Sequence, residues 1–183
     1  MLNFNIIDSY GNYFSVLQYA NKGNLRDYLK TKQYTLRWGD KLQIALDITR
    51  GLMYLHSEKI VHGNLHAFNV LVNNGTVMIA DLKILKQAAE VASEKIVYVE
   101  PQYLRNPSYE RDMKSDIYSL GVLLWELSSG RPPFFDYTQK EFDLDHIKNK
   151  LLNGEREEPV ANTPSEYLQL YQQCWKVGPS MRP

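Results

Sequence analysis

The residues able to do chemistry gather in one stretch. His62, Asn64, His66 and Asn69 fall within eight positions, and Asp81 follows twelve residues after Asn69. A histidine serves as a general base, a metal ligand or a core anchor, so its neighbours decide its use. The four histidines do not assemble into a metal cluster: His56 closes a helical pattern, His62 and His66 share a loop, and His146 is remote. Zinc is not expected from that spacing. Cys174 is the single cysteine, so neither an internal disulfide nor a thiolate cluster is available. It has no nearby basic pair to activate its thiol. What remains is a polar loop whose use depends on what holds it.

The elements around that loop are legible in part. Phe4, Ile6 and Ile7 precede a turn over 8–12, and 13–17 reads as a second strand. Two strands have no core of their own. Asn24 can cap a short helix over 25–30. From Asp40 to about His56, Leu42, Ala45, Leu46, Thr49, Leu52, Met53 and Leu55 repeat at spacings of three and four. The stripe is broad and predicts a largely buried helix, with Met53 and Met78 filling gaps. Strands at 70–72 and 77–79 flank Asn73-Asn74-Gly75, an Asn-Gly hairpin signal. Residues 81–101 show no clean period and read as an extended loop. Ser115-Asp116 precedes an almost wholly apolar helix over 117–127, stopped by Ser128-Ser129-Gly130 and Pro132-Pro133. Helices over 144–152 and 165–175 complete a mainly α chain with short β hairpins.

Composition narrows the function classes. The chain has 183 residues, with 44% hydrophobic and 23% charged, which suits one ordinary globular domain. Lys plus Arg and Asp plus Glu are 21 each, so the net charge of zero argues against a broadly basic nucleic-acid binder. The start reads as no signal peptide, and no apolar run suits a membrane span. An intracellular, cytoplasmic protein without nucleic-acid or membrane partners is expected.

Six ordered motifs then carry a resemblance. His62-Gly63-Asn64-Leu65-His66-Ala67-Phe68-Asn69-Val70-Leu71-Val72 resembles the protein-kinase catalytic loop HRDLxxxNxLV, and Asp81-Leu82-Lys83 stands where the family has DFG. Tyr98-Val99-Glu100-Pro101-Gln102 resembles YxAPE, and Asp116 to Gly121 resembles DxxSxG. The run Leu123 to Phe134 resembles LLWELxSGRPPF, and Cys174-Trp175 with Pro179 to Pro183 resembles CWxxxPxxRP. Together they are similar to the tyrosine-kinase-like branch, including sequences common in fungal genomes. The resemblance implies a kinase-like C-terminal lobe over 21–183 and a remnant of the N-terminal lobe over 1–20, within one partial domain.

By that resemblance each residue takes an expected role. Asn64 occupies the position of the catalytic Asp, and an amide can orient a hydroxyl but has no useful basicity near neutral pH. His66 replaces a cation near the transferred phosphate. His62 is expected as a structural anchor rather than a base. Asn69 and Asp81 match the metal-holding pair, which binds magnesium only with phosphate and water completing the shell. Lys83 in place of Gly can compete for Asp81. Leu17, Gln18, Ala20 and Leu71 match the adenine-contacting positions. Asp116 is expected either to receive backbone N–H groups of the catalytic loop or to be the N-cap of the helix at Ile117. Gln102 replaces the Glu that pairs with Arg182, which predicts an arginine without its anionic partner.

The chain contains no G-x-G-x-x-G loop and no strand carrying a phosphate-pairing Lys. The expectation is a truncated kinase-like domain, a pseudokinase, with no independent phosphoryl transfer. No cofactor is expected for this chain alone, whereas ATP and Mg²⁺ serve the intact family. A protein partner or the missing N-terminal lobe would then cover its open side, at an apolar edge of Phe4, Ile6, Phe14 and Val16 or at a surface around 98–152. The alternative is a fragment of a longer ATP-dependent Ser/Thr or Tyr kinase in signal transduction.

Overall fold

The computed structural model describes residues 3–7, 13–17, 19–32, 35–80, 93–135 and 143–183. Strands β1 (Asn3–Ile7) and β2 (Tyr13–Leu17) pair antiparallel, with Phe4 opposite Val16 and Ile6 opposite Phe14. The side chains of that apolar edge lie outside the described residues. Helices α1 (Leu25–Lys32) and α2 (Trp38–Ser57) follow. Strands β3 (Val70–Asn73) and β4 (Thr76–Ile79) come next, then α3 (Pro101–Arg105) and α4 (Met113–Ser129). Helices α5 (Leu144–Leu152) and α6 (Ser165–Cys174) end the series. The result is mainly α with small antiparallel hairpins, the arrangement of a kinase-like C-terminal lobe. Among the described residues no helix is long and apolar enough to cross a membrane.

Helix α4 is the axis of the core. Every residue from Ser115 to Ser128 is buried except Ile117, which is half-buried. Its start is set by Asp112, whose carboxylate accepts from Ser115 N at 3.0 Å while Asp112 N donates to Ser115 Oγ at 3.0 Å. The helix therefore begins four residues before Ile117, and Asp116 is not its N-cap. Gly130 ends it with a left-handed φ of 70°. Tyr167 Oη donates to Leu124 O at 2.9 Å, and Trp125 Nε1 donates to Glu158 O at 2.9 Å, so both flanks are fastened.

Helix α2 corrects the sequence reading. Ile44, Ala45, Ile48, Leu52 and Leu55 are buried, whereas Leu42, Leu46 and Met53 are exposed, Met53 by 67%. Two apolar stripes run along this helix, and the core selects the one bearing the isoleucines. Spacing alone allows either face. The helix starts at Trp38, with Asp40 accepting from Arg37 N at 3.0 Å. Between β3 and β4, Asn74 (φ 48°) and Gly75 (φ 82°) form the two-residue turn expected of Asn-Gly. The supposed loop over 81–101 is partly helical: a 3-10 segment spans Ser93–Tyr98, and Pro101 opens α3.

Buried charges tie these elements together. Arg182, 3% exposed, donates to Glu100 Oε2 and Lys114 O at 2.8 Å each, and to Gln102 Oε1 at 3.2 Å. It also reaches Lys176 O at 2.8 Å and Val177 O at 2.9 Å. The expectation that Arg182 lacks an anion is thus overturned: Glu100 supplies it from two positions upstream of Gln102. A second cluster joins α1 to α4. Arg26 Nε lies 2.8 Å from Glu126 Oε1, Arg26 Nη2 donates to Tyr98 Oη at 2.7 Å, and that hydroxyl donates to Glu126 Oε2. Burial outweighs the attraction of Arg26 and the Tyr98 hydrogen bond, and pushes the Glu126 carboxyl up to about 7.

Four outcomes test this packing. A Cβ on Gly121 would stand 2.8 Å from Cys174 Cβ and 2.9 Å from Trp175 N, where α4 meets α6. Gly121→Ala should therefore destabilise by about 1–3 kcal/mol in denaturant unfolding. Glu100→Ala, which strands a buried guanidinium, should cost about 3–5 kcal/mol. The swap Glu100→Gln with Gln102→Glu should recover most of that loss. Finally, Glu126 binds its proton more tightly when folded than unfolded. Its contribution is full below its ordinary value of 4.5 and is lost as pH rises through about 7. Glu126→Gln should flatten the pH dependence of unfolding across that window.

Candidate functional site

The polar loop leaves α2 and returns through β3, and one carboxylate holds it. Asp116, 1% exposed in the first turn of α4, accepts from His62 N through Oδ2 and from Gly63 N through Oδ1, each at 2.8 Å. His56 at the end of α2 brings Nε2 to 2.9 Å from the same Oδ2. The carboxylate therefore joins α2, the loop and α4 at one point. On the other side of the loop, Arg111 donates to the carbonyl of Gly63 and lies 3.9 Å from the centre of the Tyr103 ring. Gly63 has a φ of +67°, which favours glycine at the position where the family often carries Arg.

His62 is fully buried and has both ring nitrogens engaged. Nε2 donates to Ala80 O at 2.9 Å, and Nδ1 accepts from Asn64 N at 3.2 Å. That pairing fixes the Nε2–H tautomer and leaves neither nitrogen for proton abstraction. It also fastens the loop to the residue before Asp81. Asn69, 8% exposed, donates from Nδ2 to Asn64 O at 3.0 Å, while its own carbonyl accepts from Ala80 N at 2.8 Å. His66 is 2% exposed, with its ring centre 5.9 Å from Phe68 and 6.1 Å from Tyr98. The structure puts it in an aromatic cluster.

The nucleotide side is described only in part. Lys22 N donates to Val72 O at 3.1 Å, and Val72 N donates to Gly23 O at 2.9 Å. With the bridge between Asn24 and Leu71, this lays the segment after Ala20 along β3. Leu71 and Ala20 are half-buried there. Leu17 ends β2, but its side chain, like Gln18, Asp81, Leu82 and Lys83, lies outside the described residues. Of Asn69 and Asp81, the pair matched to metal-holding positions by resemblance, Asn69 alone is described. Among the described residues no group of three or more His, Cys, Asp or Glu can hold a metal ion. Asn69 by itself offers one neutral oxygen, too little to hold magnesium without phosphate.

Several residues escaped the sequence reading. Glu100 is an acid two positions from Gln102, a signal visible in the sequence once the partner of Arg182 is sought. Arg26 lies 72 positions from Tyr98 and Arg111 lies 48 from Gly63, separations that no local pattern reveals.

Comparison with known proteins agrees with this geometry. The family model for protein tyrosine and serine/threonine kinases matches residues 3–183. The megakaryocyte-associated tyrosine-protein kinase of Rattus norvegicus is 33% identical over 177 residues, covering 93% of this chain and 36% of that protein. The serine/threonine/tyrosine-protein kinase HT1 of Arabidopsis thaliana is 34% identical over 178 residues, covering 93% of this chain and 44% of that protein. Cyclic GMP-binding protein C of Dictyostelium discoideum is 29% identical over 180 residues, covering 91% and 7%. The chain thus spans less than half the length of these relatives. It belongs to the protein tyrosine and serine/threonine kinase family.

Proposed function

We propose that this domain is a pseudokinase module that binds a protein partner and does not itself transfer phosphate. The carrying observation is the loop around Asn64, which holds an amide where the family places its catalytic carboxylate. Among the described residues around it, neither His62 nor Asp116 offers a replacement base. His62 has both nitrogens committed, and Asp116 is buried with its oxygens shared among His62 N, Gly63 N and His56. The loop keeps the scaffold that positions a catalytic group but carries no group there able to accept a hydroxyl proton near neutral pH.

A second reading draws on the spans of the relatives, which extend well beyond the matched region. On it, these residues are part of a longer ATP-dependent kinase, with the glycine-rich loop and phosphate-pairing lysine supplied elsewhere in the same product. A blot of the endogenous product with an antibody to α6 separates the two: a species well above 21.3 kDa favours the longer kinase.

The decisive assay measures transfer from labelled ATP with Mg²⁺ in the natural full-length product. The wild type should remain at background. Asn64→Asp should raise transfer by about 10²-fold or more if the remaining machinery is present. Wild-type transfer equal to that of a robust Asn64→Asp enzyme would overturn the pseudokinase reading.

A further inference from the structure

Two cations flank one buried ring. Tyr118 of α4 is fully buried, and the guanidinium carbons of Arg156 and Arg182 lie 5.2 Å and 5.1 Å from the centre of its ring. Arg182 directs its donors at Glu100, Gln102 and the carbonyls of Lys114, Lys176 and Val177, so its charge has an anionic partner. Arg156, in the loop between α5 and α6, is placed differently. Its Nε donates to Trp175 O at 3.1 Å, and its Nη1 donates to Leu151 O at 3.3 Å and Glu155 O at 2.6 Å. All three acceptors are neutral carbonyls. Among the described residues no carboxylate pairs with Arg156. Its Nη2 is buried without a hydrogen-bond partner, and so is the Tyr118 hydroxyl.

The chemistry of these two groups narrows what suits them. Burial raises the pKa of Tyr118, so the hydroxyl keeps its proton, and Arg156 is the strongest charge acting on it. Burial also lowers the pKa of Arg156; Tyr118 opposes that shift and the charge of Arg182 adds to it. The charges that act on Tyr118 are Arg156, Arg182 and Glu100, two positive and one negative. The cluster is therefore short of one negative charge, and a buried cation left that way is costly. A deficit of one charge beside N–H and O–H donors fits a monoanion, and the burial of both donor atoms restricts it to a small one. A water molecule would accept the same hydrogen bonds but leave the charge uncompensated.

We propose that Arg156 Nη2 and the Tyr118 hydroxyl hold a chloride-sized halide ion, which fastens α4 to the loop between α5 and α6. The ion stands to Arg156 as Glu100 stands to Arg182.

The test melts the full chain in sodium chloride and in sodium gluconate at equal ionic strength. Gluconate is too large for the site, and as the more strongly excluded anion it favours the folded state by the general salt effect, which runs against the expected result. At about 0.15 M salt the chain should melt about 2–4 °C higher in chloride. Bromide should replace chloride, and the chloride resonance of the solution should broaden in the presence of the protein. Tyr118→Phe keeps the ring and removes the hydroxyl, whereas Arg156→Met keeps an apolar stem and removes the charge. Each should abolish both the chloride advantage and the broadening. Arg50→Met, at an exposed cation on α2, should retain both. Should Arg156→Met fail to fold, Tyr118→Phe with an intact transition in gluconate decides the matter. Equal melting in the two salts, the result expected of a bound water, would overturn the assignment, as would a chloride advantage that survives Tyr118→Phe.

Discussion

The site depends on a buried negative charge. Asp116 takes two backbone N–H groups from the loop and faces His56, so a single carboxylate meets three donors with almost no solvent. A charge so placed is tolerable only while those donors remain, which couples the loop's conformation to the integrity of α4. The dependence runs both ways. Helix α4 fixes the carboxylate because its own capping residues, Asp112 and Ser115, set where it begins. The loop then has little freedom left, with Arg111 holding the carbonyl of Gly63 from the opposite side.

That rigidity bears on how activity and architecture separate. The anchors in this loop are backbone groups, a buried histidine and a carboxylate on another helix, and none of them requires an acid at position 64. The shape of a catalytic loop can therefore outlast its chemistry. An amide at position 64 alters what the loop can do to a proton while leaving untouched the bonds that hold it.

The sequence made some of this legible and left the rest hidden for physical reasons. The hairpin at Asn74-Gly75 could be read because its turn demands left-handed backbone, which few residues adopt readily. Helix α4 could be read because it is buried nearly all round. Helix α2 misled because Leu42, Leu46 and Met53 share the helical period of the true core face, and periodicity carries no label for inside. The order of the motifs pointed to the catalytic loop and to Asp116. The Arg26–Glu126–Tyr98 cluster was out of reach, since its members come from three elements distant in the chain. Burial of His66 was equally out of reach, because it follows from the placement of Phe68 and Tyr98 around it.

The meeting of Glu100, Gln102 and Arg182 has a historical consequence. If the ancestral pattern carried an acid at position 102 and none at 100, two single steps separate it from the present one. Losing the acid first would pass through a molecule with a bare guanidinium sealed in its interior. Gaining Glu100 first would pass through one with two carboxylates around Arg182, where a shared proton relieves the crowding. On electrostatic grounds the second route is the one that never leaves the guanidinium unpaired. With Glu100 in place, Arg182 has its anionic partner without a charge at position 102.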